Sequence, residues 1–500
     1  MYQVVILTGA DPSGAWAEVS ENYMSSNAGI PPLGAFSCAN ALRSAGFTCL
    51  VINHAINYTI KEINELLDKV VTDDTLMIGI SSTFWNKHVN FNTNNTDNAN
   101  PKGIANRYDY WKGQGGFDSQ VLFRLKKKFS KLKLILGGFD AIANREITGL
   151  DFMCIGYSDI SIVNVAKYLL YGTAIPNCVK NIFGTVVVDD REAKTHDFNN
   201  DIMRWLPQDV VNHTKLPIGI GRGCIFNCTF CSTPMRGKKN LDNQRTATSM
   251  ATELANNYEK YNIQTYVIVD ETFNDSRYKL EVMRDAIKTL NFQPYFWCYA
   301  RLDLITTRPD TLELLYDIGI RSMFFGLESL NQTTAKAFGK GYSTEKQIAT
   351  INYIKEKYPD IMLHGNFIVG GPHETVDGVI SIAEMLRDGK IQLDSWKFNA
   401  MYINPNYLTQ WPSDFDLNWQ KYGYREKSRE GHVLIWENDH MDFYKARQLA
   451  ALFNGPDYQN NKWGRTYQQV EWYTEPEDIS IFLPKYKKQL LELINDSIER

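Results

Sequence analysis

The chain has 500 residues, a formal net charge of −4, 44% apolar residues and 13% aromatics. That apolar content builds large cores and excludes wholesale disorder, and the length suggests about three domains. The slightly acidic balance argues against a binder of duplex nucleic acid, which needs a basic footprint, and no apolar run approaches the ~18 residues of a membrane span.

The first residues, Met1-Tyr2-Gln3-Val4-Val5-Ile6-Leu7, read as a strand and not as a signal peptide. Eight cysteines in such a chain fit a reducing compartment and not a disulfide framework, so a soluble cytoplasmic protein is expected. Residues 1–171 alternate strands (3–7, 48–52, 76–80, 132–136, 152–155) with helical stretches (35–45, 59–70, 117–130). This rhythm predicts a Rossmann-like α/β domain with a parallel sheet. Ligands bind such sheets beyond the carboxyl ends of the strands. Those ends carry small residues here: a loop with Gly9 and Ser13, then Ser81-Ser82-Thr83, Gly137-Gly138 and Gly156-Tyr157. His54, after the second strand, is either a pocket residue or a satisfied loop histidine. Residues 86–116 are Asn-rich and read as a long loop. Residues 172–210 read as a linker containing a hairpin strand at 183–188.

The densest signal follows a short apolar run: Gly221-Arg222-Gly223-Cys224-Ile225-Phe226-Asn227-Cys228-Thr229-Phe230-Cys231. Three cysteines at Cys-x3-Cys-x2-Cys spacing can aim thiolates at three irons of one [4Fe-4S] cluster, leaving the fourth iron for a small molecule. A zinc knuckle is the alternative, but it needs a fourth ligand, and His213 is poorly spaced for it. From 211 to 405 strands and helices alternate again, as a partial (β/α)6 barrel requires. Residues 406–500 read as a mostly helical C-terminal appendage; by resemblance to proteins with such a cysteine loop, it would be a substrate-covering domain.

The cysteine pattern, with aromatic Phe230 before the last cysteine, resembles the radical S-adenosylmethionine (SAM) superfamily. The resemblance implies that the open iron chelates SAM, which one electron cleaves to a 5′-deoxyadenosyl radical. It places Asp270 and Glu271, at the end of the second strand, against the amino group of SAM. Arg301 would meet its carboxylate or a substrate anion, against the plainer reading of an exposed structural arginine, and Glu328 or Ser329, in the Gly326-Leu327-Glu328-Ser329 turn, the ribose or methionine moiety. Gly370 and Asn399, after the fifth strand and on the sixth, would border the adenine. Cys298 and His373 are the remaining candidates for hydrogen donation or acid–base work, each against a plainer structural reading.

Pro31-Pro32-Leu33-Gly34, Gly79–Thr83 and Leu136-Gly137-Gly138 resemble the cobalamin-binding domain found in many radical SAM proteins. The acidic turn common after the last strand of that domain is replaced by Gly156-Tyr157-Ser158-Asp159, and no Asp-x-His-x-x-Gly motif supplies a cobalt ligand. The resemblance implies a cobalamin-dependent methyltransferase of the group that includes phosphinate P-methyltransferases. It would act on a small-molecule or peptide substrate, at an unactivated carbon or phosphinate phosphorus, with a flavodoxin- or ferredoxin-type electron donor. The alternatives are a radical SAM enzyme of another reaction type, or a non-catalytic sensor holding the cluster or cobalamin.

Overall fold

The computed structural model describes residues 2–8, 30–55, 58–82, 121–138, 141–142, 149–182, 184–191, 198–200, 202–211, 213–238, 244–341, 343–405, 411–430, 433–459 and 479–499. Two compact units emerge, one built from Met1–Leu216 with Glu477–Arg500, the other from Pro217–Tyr407 with Trp411–Pro476.

The first unit is a seven-stranded sheet: β1 (Val4–Thr8), β2 (Cys49–Ile52), β3 (Met77–Ser81), β4 (Lys133–Gly137), β5 (Phe152–Gly156), β6 (Cys178–Lys180) and β7 (Val186–Asp190). Their order is β2-β1-β3-β4-β5-β7-β6, parallel except for β6 against β7. A parallel sheet is covered on both faces, which is why β1 and β2 are buried at every position. The helix Ile60–Val70 shows how local sequence sets an element. Thr59 and Glu62 form a reciprocal capping box at its start, and Ile63, Leu66, Leu67 and Val70 make its buried stripe. Such a cap contributes about 1 kcal/mol.

Two sequence expectations change here. Residues 172–210, expected as a linker, supply β6 and β7 to the sheet and carry Asp209, whose carboxylate pairs with Arg43 at 2.6 Å. The expected hairpin strand begins later, at Val186, and its partner β6 precedes it. The C-terminal helix Ile479–Glu499, expected within the substrate-covering appendage, instead packs in this first unit. Its Phe482, Tyr486, Leu490 and Ile494, spaced by one helical turn, join Val5, Leu7, Ile63 and Leu67 in one core. Lys487 pairs with Glu62 at 2.9 Å, and the Tyr2 and Ser497 hydroxyls lie 3.2 Å apart. An amphipathic pattern says that a face is buried but not against what.

The second unit carries β8 (Lys215–Ile218), β9 (Thr265–Ile268), β10 (Tyr295–Ala300), β11 (Ile320–Glu328), β12 (Met362–Val369) and β13 (Ser395–Ala400) in strict sequence order. The pairs from β9 to β13 are parallel, with helices such as Ala247–Tyr261, Arg277–Ile287 and Thr344–Lys357 between strands. This is the expected partial (β/α)6 arrangement. Side chains alternate between the two faces of its sheet. Phe296, Cys298, Met323, Phe325, Leu363, Phe367 and Phe398 form the fully buried face. The opposite face carries Val269 and Tyr299, 39% and 40% exposed, and the half-buried Asn366, Lys397 and Asn399. The last part of this unit holds the antiparallel hairpin β14 (Arg425–Glu430) and β15 (Val433–Glu437) beside the helix Phe443–Phe453, so the appendage is not all helical.

Candidate active site

The cysteine loop follows β8, from Gly221 on, and is held by backbone bonds on both sides. Cys224 N–H donates to Met235 O at 3.3 Å, Gly237 N–H to Phe226 O at 2.8 Å, and Lys238 N–H to Cys224 O at 3.1 Å. The Thr229 hydroxyl donates to Ala337 O at 2.7 Å and its N–H to Phe338 O at 3.3 Å. Gly223 makes the approach possible. Its φ is +73°, and a Cβ there would lie 2.6 Å from Met235 Cβ.

Each thiol of this loop meets a polar partner. Cys224 Sγ lies 3.5 Å from the Thr272 hydroxyl, and Cys231 Sγ lies 3.0 Å from the Thr233 hydroxyl. Arg301 Nη1 donates to Cys228 Sγ at 3.3 Å. Sulfurs supplied with donors suit thiolate ligands of an iron–sulfur cluster. Phe230 lies edge-on to Phe338, with centroids 5.3 Å apart.

Asp270 and Glu271, alike in sequence, have different environments. Asp270 is 2% exposed and accepts from Ile220 N–H at 2.8 Å and Gly221 N–H at 2.9 Å. Its second oxygen also pairs with Lys279 at 3.0 Å. The structure thus places Asp270 as a brace under the cysteine loop, whereas the sequence placed it against SAM. Glu271 makes no salt bridge among the described residues. Burial pushes its carboxyl up to about 7, with Lys279 and Lys238 opposing the shift. Lys279, missed in the sequence, sits in the Arg277–Ile287 helix at 1% exposure and also pairs with Asp275 at 2.9 Å. The signal was there: Lys279 falls on the same stripe as buried Leu280, Met283 and Ala286.

Arg301 does not stand free for a carboxylate. Asp303 holds its guanidinium in a fork, at 3.0 Å and 2.5 Å, against the cysteine loop. Glu328, at φ +64°, pairs with Lys340 at 2.9 Å. Ser329 donates to Glu374 at 2.8 Å, and the other oxygen of Glu374 accepts from Gly370 and Gly371 N–H at 2.9 Å and 3.2 Å. Ser329 therefore ties the turn after β11 to the turn after β12. Gly370 has a packing reason of its own: at φ +91°, a Cβ would lie 2.3 Å from Trp436.

Burial pushes the Glu374 carboxyl up to about 7 from its ordinary 4.5. The folded state therefore holds this proton more tightly than the unfolded chain. The resulting stabilisation is full below pH ~4.5 and is lost as the pH rises through ~7. Glu374→Gln is expected to flatten that slope. Chemical denaturation of both proteins at pH 5 and pH 8 tests this: the wild type should lose about 1–3 kcal/mol more between the two pH values than the variant. Parallel losses in the two proteins would rule the account out.

Asn399 lies on the partly exposed sheet face beside Asn366 and Lys397, two positions the sequence did not single out. His364, on the same face, bonds Ser395 Oγ at 2.7 Å and stacks on Phe324 at 4.5 Å. Burial, the dominant effect, pushes its pKa down to about 3, which keeps it neutral. Cys298 is corrected from a candidate inside the barrel to a core residue. It is fully buried on the opposite face, alternating with Trp297 and Tyr299, and burial raises its thiol far above the usual range. His373 is exposed on a turn with φ +64°.

In the first unit, the β2-β1-β3 order puts a reversal of strand order between β1 and β3, where parallel sheets of this kind bind ligands. Thr8, at the end of β1, is wholly buried, and its hydroxyl finds no partner among the described residues. Ser81 ends β3, and the Ser82 hydroxyl donates to Gly137 O at 2.8 Å. Gly138 is left-handed at φ +95°, and Tyr157 is half-buried. Gly156 is needed by the sheet itself, since a Cβ would lie 2.6 Å from the Asp190 backbone. An orphaned hydroxyl and an open turn at these strand ends fit a polar cofactor edge. Gly9, Ser13, Thr83 and the 86–116 loop lie outside the described residues. His54 is core: wholly buried at φ +54°, its ring is 5.1 Å from Tyr486 and 6.3 Å from His213.

Residues 218–386 match the radical SAM superfamily. The second unit thus contains a radical SAM domain, and its three-cysteine loop lies inside the matched span. The chain also shares its fold with the radical SAM methyltransferase TsrM from Kitasatospora setae, solved with cobalamin and a [4Fe-4S] cluster. The TM-score is 0.67 at 13% identity, covering 99% of this chain and 100% of that one. OxsB, a cobalamin-dependent SAM radical enzyme, superposes with a TM-score of 0.56 at 16% identity, over 84% of this chain and 56% of that one. Among curated proteins, bacteriochlorophyllide d C-8(2)-methyltransferase of Chlorobaculum tepidum is 24% identical over 224 residues, 42% of this chain and 49% of that protein. An uncharacterised methyltransferase of Pyrococcus horikoshii is 24% identical over 227 residues, 43% and 48% respectively. The chain spans about half the length of these curated relatives.

Proposed function

We propose that the protein is a cobalamin-dependent radical SAM methyltransferase. The observation that carries the reading is the cysteine loop, with three thiols on one braced turn, each beside a hydrogen-bonding partner. In this reading Cys224, Cys228 and Cys231 hold three irons of a [4Fe-4S] cluster, and Glu271 accepts from the amino group of SAM. Phe230, Glu328 and Asn399 border the SAM site, while Asp270, Ser329 and Gly370 shape it from behind. Thr8, Ser81, Ser82, Gly137, Gly138 and Tyr157 border the cobalamin. When bound, the cluster supplies the electron that cleaves SAM, and cobalamin supplies a transferable methyl group.

The chain's own part is placement: Glu271 fixes one end of SAM. The acceptor is an unactivated carbon or a phosphinate phosphorus on a small molecule or peptide; TsrM, for comparison, was solved with tryptophan as substrate. A flavodoxin- or ferredoxin-type protein would deliver the electron in a reducing cytoplasm, consistent with eight free cysteines. No helix among the described residues is long and apolar enough to cross a membrane.

The test is anaerobic reconstitution with iron, sulfide and hydroxocobalamin, followed by SAM cleavage under reductant. Bound corrinoid together with 5′-deoxyadenosine is the expected result. Deoxyadenosine without corrinoid would sink the cobalamin assignment and leave another radical reaction standing. No cleavage by a fully loaded, reduced cluster would favour a sensor.

A further inference from the structure

We infer that Arg301 sets the reduction potential of the cluster through the Cys228 sulfur, an inference that rests on the cluster assignment above. The guanidinium is held from three directions. Asp303 takes two of its N–H groups at 3.0 Å and 2.5 Å. The guanidinium lies over the Phe226 ring, with Cζ 3.8 Å from the centroid. The backbone is pinned by Asn274, which accepts from Arg301 N–H at 2.8 Å and donates to Arg301 O at 2.9 Å. The remaining nitrogen, Nη1, points at Cys228 Sγ, 3.3 Å away.

Arg301 is only 8% exposed, so its charge acts on the sulfur with little screening by water. Asp303 offsets part of that charge but lies on the other edge of the fork, so the sulfur meets the donor edge. Reducing a cluster adds one negative charge, spread over iron and sulfur. A cationic donor on a ligand sulfur stabilises the reduced form more than the oxidised form, so it raises the potential. Phe226 and Cys228 belong to one loop, so the residue that stacks the guanidinium also fixes its distance to the sulfur. The resemblance assigned Arg301 to the SAM carboxylate. The geometry assigns it to the electron that the reaction starts with.

The experiment is a potentiometric titration of the reconstituted full-length protein, followed by the electron paramagnetic resonance signal of the reduced cluster. Wild type is compared with Arg301→Gln, Arg301→Lys and Phe226→Leu, with iron, sulfide and SAM affinity measured alongside. Arg301→Gln should shift the midpoint to a more negative potential with iron and sulfide content unchanged. Arg301→Lys, which keeps the charge, should lie between it and wild type. Phe226→Leu should shift the midpoint in the same direction by less.

An unchanged midpoint in Arg301→Gln overturns the inference. Weakened SAM affinity at unchanged midpoint also overturns it and returns Arg301 to the carboxylate. Equal loss of iron in the Gln and Lys variants, with Phe226→Leu at the wild-type midpoint, overturns it in favour of a purely structural role. A wild-type protein that binds no cluster would instead sink the underlying assignment, so the two failures are distinguishable.

Discussion

Cys228→Ala is expected to lower 5′-deoxyadenosine formation by at least about a thousandfold while leaving corrinoid uptake at the wild-type level. In the proposed reading the three cysteines would hold three irons, and removing one ligand would leave the cluster without a fixed site at which the fourth iron could take up SAM. The variant also removes the sulfur that Arg301 approaches at 3.3 Å, leaving that guanidinium with Asp303 and Phe226 alone. The fold should survive, since Cys228 is only half-buried and the loop keeps its backbone bonds through Cys224, Phe226 and Thr229. Deoxyadenosine is measured by chromatography after reconstitution, and corrinoid by absorbance. Cleavage within tenfold of wild type would remove Cys228 from the iron ligands; joint loss of corrinoid would point to general misfolding.

Lys279→Met is expected to lower the stability of the second unit by about 3–5 kcal/mol, the usual cost of leaving buried charge uncompensated. Lys279 Nζ sits between Asp270 and Asp275, at 3.0 Å and 2.9 Å, and donates to Thr272 O at 3.1 Å. Methionine fills the space but leaves two carboxylates without their cation. Burial already raises the Asp275 pKa, with Lys279 opposing it, so the substitution raises it further. A carboxyl held above its unfolded value stabilises the fold below the unfolded pKa and loses that contribution as the pH rises through the folded one. The deficit should therefore be larger at pH 8 than at pH 5. Urea denaturation at both pH values measures it, and Lys279→Met/Asp275→Leu should recover part of the loss. A deficit under about 1 kcal/mol at pH 8 would show that water already screens the cluster of charges.

What the sequence made legible follows the range of each signal. The cysteine spacing and the apolar periods are local, so the loop, the two α/β units and most strand positions could be read directly. Asp270 was drawn to SAM by its place after a strand; its partners, the N–H groups of Ile220 and Gly221, lie far back in the chain. Ser329 was read as a ligand contact for the same reason, while its carboxylate partner Glu374 stands on the next turn. The Arg301 fork is half local, through Asp303, and half distant, through Phe226 and Cys228. Motifs name the residues of a site; only the fold decides which of them face the ligand and which hold their neighbours.

The helix Ile479–Glu499 gives the chain an order of events during synthesis. The sheet β1–β7 leaves the ribosome before the second unit, yet four of its core contacts, at Phe482, Tyr486, Leu490 and Ile494, are made by residues translated after that unit. In the meantime the whole radical SAM domain is translated and can fold, as domains generally do, as a unit. The barrel is thus a guest inserted between two halves of its host. The core around Val5, Leu7, Ile63 and Leu67 is therefore completed only once the 21-residue helix Ile479–Glu499 has been made.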